Sequence, residues 1–274
     1  MKTFDHQSGS SLLVEGAEIY YHQIGDPNGE AVVLLHGGFG SLLDFNPILD
    51  AIGSSMHIIG IDSRGQGKST PGNVVLSYER LQEDAEVVLK HLSIEEASVF
   101  GISDGGVVAY RLAAYSNIKI NKLITIGARW HSDNVTETYQ LLSGTTAESW
   151  RKKFPKTVEL YEKVNPRPDF DRLARELVQM WLNEGSYPGE DVKNFKADAL
   201  IIRGDRDPLT KRKFVAELAD LLDNANLCNI PFAGHEVYRE QPAVLMTLLR
   251  QFFCLTEFAP DNSHPNLSKL RHLI

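Results

Sequence analysis

Ser103 stands between glycines in Gly101-Ile102-Ser103-Asp104-Gly105, directly after an apolar run with the composition of a buried strand. A strand that reverses straight into a helix crowds the side chains beside the turn, so its neighbours must be glycine. The hydroxyl is then left exposed at the apex, next to N-terminal helix amides that favour negative charge. That is the setting of a nucleophile for acyl transfer. The pentapeptide alone is a weak signal, because a glycine-rich turn that merely needs a small polar residue has the same spelling.

Three other stretches carry complementary chemistry. In His36-Gly-Gly-Phe-Gly40, the backbone amide of Gly38 or of Phe39 can aim at the same place as the amide of Asp104. Two such donors would hold an oxyanion, and losing one typically costs about 3 kcal/mol of transition-state stabilisation. His36 itself reads as a structural hydrogen-bonding residue at a strand end. Arg203-Gly-Asp-Arg-Asp-Pro208 ends a late strand and offers Asp205 and Asp207 as acids. Of the nine histidines, only His235 both follows the final expected strand and is preceded by a glycine, Gly234. Serine, acid and histidine thus occur in that order, each beyond the C-terminal end of a strand. The imidazole would take the serine's proton, and a carboxylate would orient the imidazole.

The elements that must position these residues follow from hydrophobic pattern. Leu12–Glu15 and Ala17–Ile24 alternate as an antiparallel pair joined at Gly16. The runs 31–38, 57–62, 97–103, 122–127, 199–205 and 226–231 are apolar on consecutive residues and end in turn residues, as strands covered on both faces do. Between them, Tyr78–His91, Val107–Tyr115, Lys211–Leu222 and Ala243–Phe253 have helical spacing. Alternating strands and helices imply right-handed crossovers and a mostly parallel sheet. The alternation stops between about Arg129 and Phe195, where helix-like segments hold all three tryptophans, Trp130, Trp150 and Trp181. The expected architecture is therefore an α/β core of residues 1–128 and 196–255. Residues 129–195 form a helical cap inserted in it, and 256–274 a C-terminal tail.

Bulk properties exclude several function classes. The chain has 274 residues, 42% apolar and 23% charged, with a net charge of -8. Such a field repels phosphate backbones and anionic lipid, so neither nucleic acid nor membrane is an expected partner. Cys228 and Cys254 match no metal-ligand or disulfide spacing and read as small core residues. No apolar stretch has the length of a signal peptide or a spanning helix, which predicts a soluble cytoplasmic protein.

Together LLHGGFG, DSRGQGKS, GISDGG, IIRGDRDP and FAGHEVYREQP, set within residues 32–242, resemble a serine hydrolase of the α/β-hydrolase fold with a helical cap. The SDGG form is most similar to the biphenyl hydrolase-like group, the valacyclovir hydrolase-type esterases. The resemblance implies Ser103 as nucleophile, His235 as general base and Asp207, the last residue of Gly204-Asp-Arg-Asp207, as the acid. It also implies oxyanion amides from Gly38 and Asp104. Asp62 and Arg64 of DSRGQGKS would hold loops. The implied reaction is cleavage of a small ester or other acyl substrate through an acyl-enzyme, with no metal and no cofactor, by a monomer or small homo-oligomer. Dehalogenases and epoxide hydrolases of this fold need a carboxylate where Ser103 stands. A C–C bond hydrolase, a cofactor-free perhydrolase or a slow-turnover receptor would keep the same three residues.

Substrate expectations rest on position. The large cap side chains, Trp130, Trp150 and Trp181 with Phe154, Tyr161, Phe170 and Met180, are read mainly as docking surface, with one or two, Trp130 among them, lining the site. Phe39, beside the oxyanion amides, and Arg129, near the end of another strand, belong with Asp104 and Trp130 as the candidate substrate-binding residues. The Asp104 carboxylate lies next to the nucleophile, where it would suit an ammonium group such as that of an amino-acid ester. A hydrogen bond to a cap residue, or an ion pair with Arg129, is the competing assignment for it.

Overall fold

A computed structural model describes residues 2–253. The expected tail, and Cys254 with it, lie outside the described residues. Eight strands form one sheet: β1 (Ser10–Val14), β2 (Ala17–Gly25), β3 (Ala31–Leu35), β4 (His57–Ile61), β5 (Glu96–Ile102), β6 (Lys119–Ile126), β7 (Asp198–Gly204) and β8 (Ala225–Ile230). Their spatial order is β1-β2-β4-β3-β5-β6-β7-β8. The β1–β2 hairpin pairs antiparallel with β4, and every pairing from β4 through β8 is parallel. This is the α/β-hydrolase fold.

The consecutive apolar runs have a simple cause. Val33 and Leu35 of β3 enter one core cluster, while Val32 and Leu34 enter the other. Helices α1 (Tyr78–His91) and α2 (Asp104–Tyr115) contribute to the first cluster; the 3₁₀ stretch Leu42–Ala51 contributes to the second. A sheet covered on both faces leaves no solvent side for polar alternation. The 3₁₀ stretch was not legible as helix because Pro47 interrupts it, although Ser41 and Asp44 form a capping box at its start.

Between β6 and β7 lie α3 (Asp133–Thr136), α4 (Tyr139–Ser143), α5 (Ala147–Lys153), α6 (Pro155–Val164) and α7 (Phe170–Leu182). The longest, α7, is capped by the Asp169 side chain and buries Phe170, Leu173, Ala174, Leu177 and Trp181, one face at i, i+3, i+4, i+7 and i+11. Helices α8 (Arg212–Leu221), α9 (Val237–Glu240) and α10 (Pro242–Phe252) complete the chain's described part.

Two expectations change. The helix after Ser103 begins at Asp104 rather than Val107, because Gly105 and Gly106 are recruited into its first turn. Strand β8 lies at the sheet edge and is largely exposed, so Cys228 is half-buried instead of a core residue.

Candidate active site

Ser103 links β5 to α2 with φ 52° and ψ −114°, a left-handed backbone for a residue with a side chain. Its N–H donates to Ile126 O at 2.8 Å, and the Gly105 N–H donates to His36 O at 3.0 Å. These bonds hold the reversal against the neighbouring strands. A Cβ on residue 105 would meet Leu35 O at 2.0 Å, so the turn closes only with glycine there.

The His36–Gly40 loop runs beside the elbow; a Cβ on Gly37 would come within 3.1 Å of Ser103 Cβ. Among the described residues, the N–H groups of Gly38, Phe39 and Asp104 meet no hydrogen-bond acceptor. Phe39 adopts φ 61° and is buried, stacked on Trp150 at 4.2 Å with Phe170 and Trp181 also against it. The insert thus clamps this loop through one ring. His36 accepts the Ser63 N–H on Nε2 at 2.9 Å, which leaves its Nδ1 to donate to Gly37 O at 2.7 Å. It is a structural tie between two loops.

Asp207 is buried and uses both carboxylate oxygens. Oδ1 accepts the Leu209 and Thr210 amides at 2.8 and 3.3 Å; Oδ2 lies 2.9 Å from His235 Nδ1. Asp205 points elsewhere, accepting from Asn229 Nδ2 at 2.9 Å and from Arg212. The Asn229 hydrogen bond, then Arg212, holds its carboxyl below the usual range. Of the two acids in the loop, only Asp207 orients His235.

Gly127, which no sequence argument singled out, closes β6 at φ 60°. A Cβ there would stand 2.9 Å from His235 Cε1 and 3.1 Å from Asp207 Oδ2. The imidazole–carboxylate pair rests against bare backbone. A glycine at the end of a buried strand beside the elbow was the available signal.

Ser103 and His235 open into one cavity of about 630 Å³. Its wall includes Phe39, Asp104 and Arg129, and, from the insert, Trp150, Phe154, Tyr161 and Trp181. Four of the seven large insert side chains considered therefore reach it, more than the one or two expected. Trp130 does not: its Nε1–H donates to Phe214 O at 2.7 Å, which turns the indole toward α8.

The Asp104 carboxylate, buried at 3% exposure, is occupied. Tyr78 Oη donates to Oδ1 at 2.7 Å and Trp181 Nε1 donates to Oδ2 at 2.8 Å. Burial and the adjacent carboxylate raise the Tyr78 phenol well above its usual pKa, so it stays a donor. Of the two competing expectations for Asp104, the hydrogen bond to the helical insert is the one present. Arg129 lies near enough to feel its charge without forming an ion pair.

DSRGQGKS holds loops as expected. Asp62 accepts the Leu42 and Lys68 amides, and Arg64 makes two 2.7 Å bonds to Asp84 while donating to Val14 O. Among the described residues no helix is long and apolar enough to cross a membrane.

A family model described as alpha/beta hydrolase fold matches residues 30–176. The chain is 28% identical over 247 residues to serine hydrolase BPHL of Homo sapiens, covering 84% of this chain and 81% of that protein. It is 23% identical over 238 residues to esterase YbfF of Escherichia coli (strain K12), covering 82% and 93%. It is 38% identical over 291 residues to a probable proline iminopeptidase of Leptolyngbya boryana, covering 85% and 89%.

Proposed function

The chain belongs to the α/β-hydrolase fold family and is a hydrolase, and from that premise we propose that it cleaves carboxylic esters of small molecules through an acyl-enzyme on Ser103. The observation that carries this reading is the 2.9 Å bond between Asp207 and His235 beside a cavity that also holds the strained elbow serine. The similarity to proteins named serine hydrolase and esterase supports it.

His235 Nε2 accepts the Ser103 proton as Oγ attacks the substrate carbonyl carbon. The negative charge moves to the carbonyl oxygen, received by the Asp104 amide and by Gly38 or Phe39. Collapse breaks the bond to the alcohol, which leaves with the proton from His235. Water then repeats the sequence, its proton passing to His235 and on to Ser103 as the acid departs. Asp207 holds Nδ1–H inward so that Nε2 stays the base, and the Leu209 and Thr210 amides fix the carboxylate in place. Residues 129–195 act as the cap that shapes the substrate site, and the setting is cytoplasmic.

The test is labelling with a fluorophosphonate probe beside p-nitrophenyl acetate and butyrate hydrolysis. Wild type should label once, at Ser103, and Ser103→Ala should lose about 10⁶-fold in rate. Labelling at another residue, or activity surviving the substitution, overturns the assignment. Since one relative is named a probable proline iminopeptidase, a prolyl p-nitroanilide run in parallel separates ester from amide hydrolysis. Binding without turnover would instead mark a receptor.

A further inference from the structure

The charges around the cavity are unequally spent. Its acidic side chains all have partners. Asp44 and Glu236 pair with Arg239 at 2.6 and 3.0 Å, Glu240 accepts the Gly234 N–H at 2.9 Å, and Asp104 takes Tyr78 and Trp181. Of the basic ones, Arg239 is spent on Asp44 and Glu236, but others are not. Lys153 and Lys156 have no carboxylate partner among the described residues.

Arg129 is the sharpest case. It is 6% exposed, forms part of the cavity wall, and its Nη1 has no hydrogen-bond partner among the described residues. Its guanidinium lies over the Tyr187 ring at 5.5 Å. Burial acts to lower its pKa, but Tyr187, Tyr78 and Asp104 outweigh this and hold it above its ordinary value. A second wall donor, Trp150 Nε1, is likewise buried and unpartnered. Buried donors are nearly always satisfied, and two unsatisfied ones on residues of a reaction cavity's wall match a ligand rich in acceptors that side-chain adjustment lets them meet.

Resting on the hydrolase reading above, we infer that Arg129 selects substrates bearing a carboxylate in addition to the scissile ester. A guanidinium offers paired donors suited to that group, and Lys153 and Lys156 add favourable charge to the same cavity wall. An ammonium substrate is disfavoured by the same arrangement. To reach Asp104 it must displace the Trp181 and Tyr78 hydrogens and then lie beside a cation.

Three ethyl esters test this: ethyl hydrogen glutarate (anionic), ethyl hexanoate (neutral) and ethyl 4-(trimethylammonio)butyrate (cationic). Proton release gives kcat/KM for each. Wild type should prefer the anion over the neutral ester by at least about tenfold, chiefly through KM, and use the cation least. Arg129→Gln should collapse that ratio, and Arg129→Lys should restore part of it. A neutral or cationic ester used best, or a ratio unchanged in a folded Arg129→Gln variant, overturns the inference. Glutarate quenching of wild-type tryptophan fluorescence gives a reading independent of both turnover and mutant folding. Saturable quenching by glutarate and none by 1,5-diaminopentane supports a carboxylate site, and the reverse overturns it. Failure of the probe to label Ser103, with glutarate still binding, would count against the hydrolase reading alone.

Discussion

The Trp181 indole N–H meets Asp104 Oδ2 at 2.8 Å, joining the helical insert to the residue that follows the elbow serine. The two positions are 77 residues apart, and both are buried. A carboxylate in such surroundings needs its donors, so the position of α7 and the first turn of α2 are set together.

Trp181→Phe keeps a ring against Phe39 but removes the N–H. The Asp104 oxygen is left without its donor, at a cost of about 1–3 kcal/mol. Urea unfolding should show that loss, and ester kcat should fall as the insert loosens over the oxyanion loop. Unchanged stability would mean that the bond contributes nothing net.

Gly127→Ala places a methyl at 2.9 Å from His235 Cε1 on backbone held at φ 60°. The imidazole must shift, and a displacement of about 1 Å in such a site costs on the order of 10²-fold in kcat. Steady-state kinetics should show the loss in kcat more than in KM. A variant with wild-type kcat would show that His235 has room the geometry denies.

Asp207→Asn and Asp205→Asn differ by one atom type at two neighbouring positions. The first removes the carboxylate that fixes the His235 tautomer and should cost about 10⁴-fold in kcat, the size such a change has in serine proteases. The second weakens a partly exposed ion pair with Arg212 and should leave kcat within about twofold. Equal losses, or the reverse order, would transfer the acid's role to Asp205.

His57 supplies a pH signature separate from catalysis. It is buried on β4 with Nε2 at 2.9 Å from Gln23 Oε1, and burial pushes its pKa below the ordinary 6.5. The folded state therefore binds this proton less readily than the unfolded chain. Its contribution is fully present above 6.5 and is lost as pH falls through that value toward the lower folded pKa. His57→Gln should be less acid-sensitive, so urea midpoints at about pH 7.5 and about pH 5.5 should lie closer together than in wild type. An equal shift in both proteins would mean that His57 is not the group responsible.

Much of this molecule is legible without coordinates. The helix Tyr78–His91 falls at its expected limits, and the six consecutive apolar runs each overlap a strand in parallel pairing, though β6 starts three residues earlier than its run. The elbow at Ser103 reads correctly from its glycines, because crowding at a strand reversal is a local effect. Its departures are equally physical. Leu42–Ala51 escaped because its proline contradicts helical propensity while its burial against β3 overrides it. Trp130 resembled the other insert tryptophans in type and region, yet a single hydrogen bond to Phe214 O turns it away.

By itself, then, the sequence determined the order of strands and turns and which residue types stand at the ends of strands, since backbone sterics and periodicity depend on near neighbours. Tertiary structure alone decided that the Asp104 carboxylate is already engaged, that the Trp130 indole turns away from the cavity, and that Arg129, a residue of the cavity wall, keeps an unspent donor. Those outcomes depend on which side chains arrive from elements tens of residues away, and on burial that obliges each polar atom to find a partner once water is excluded.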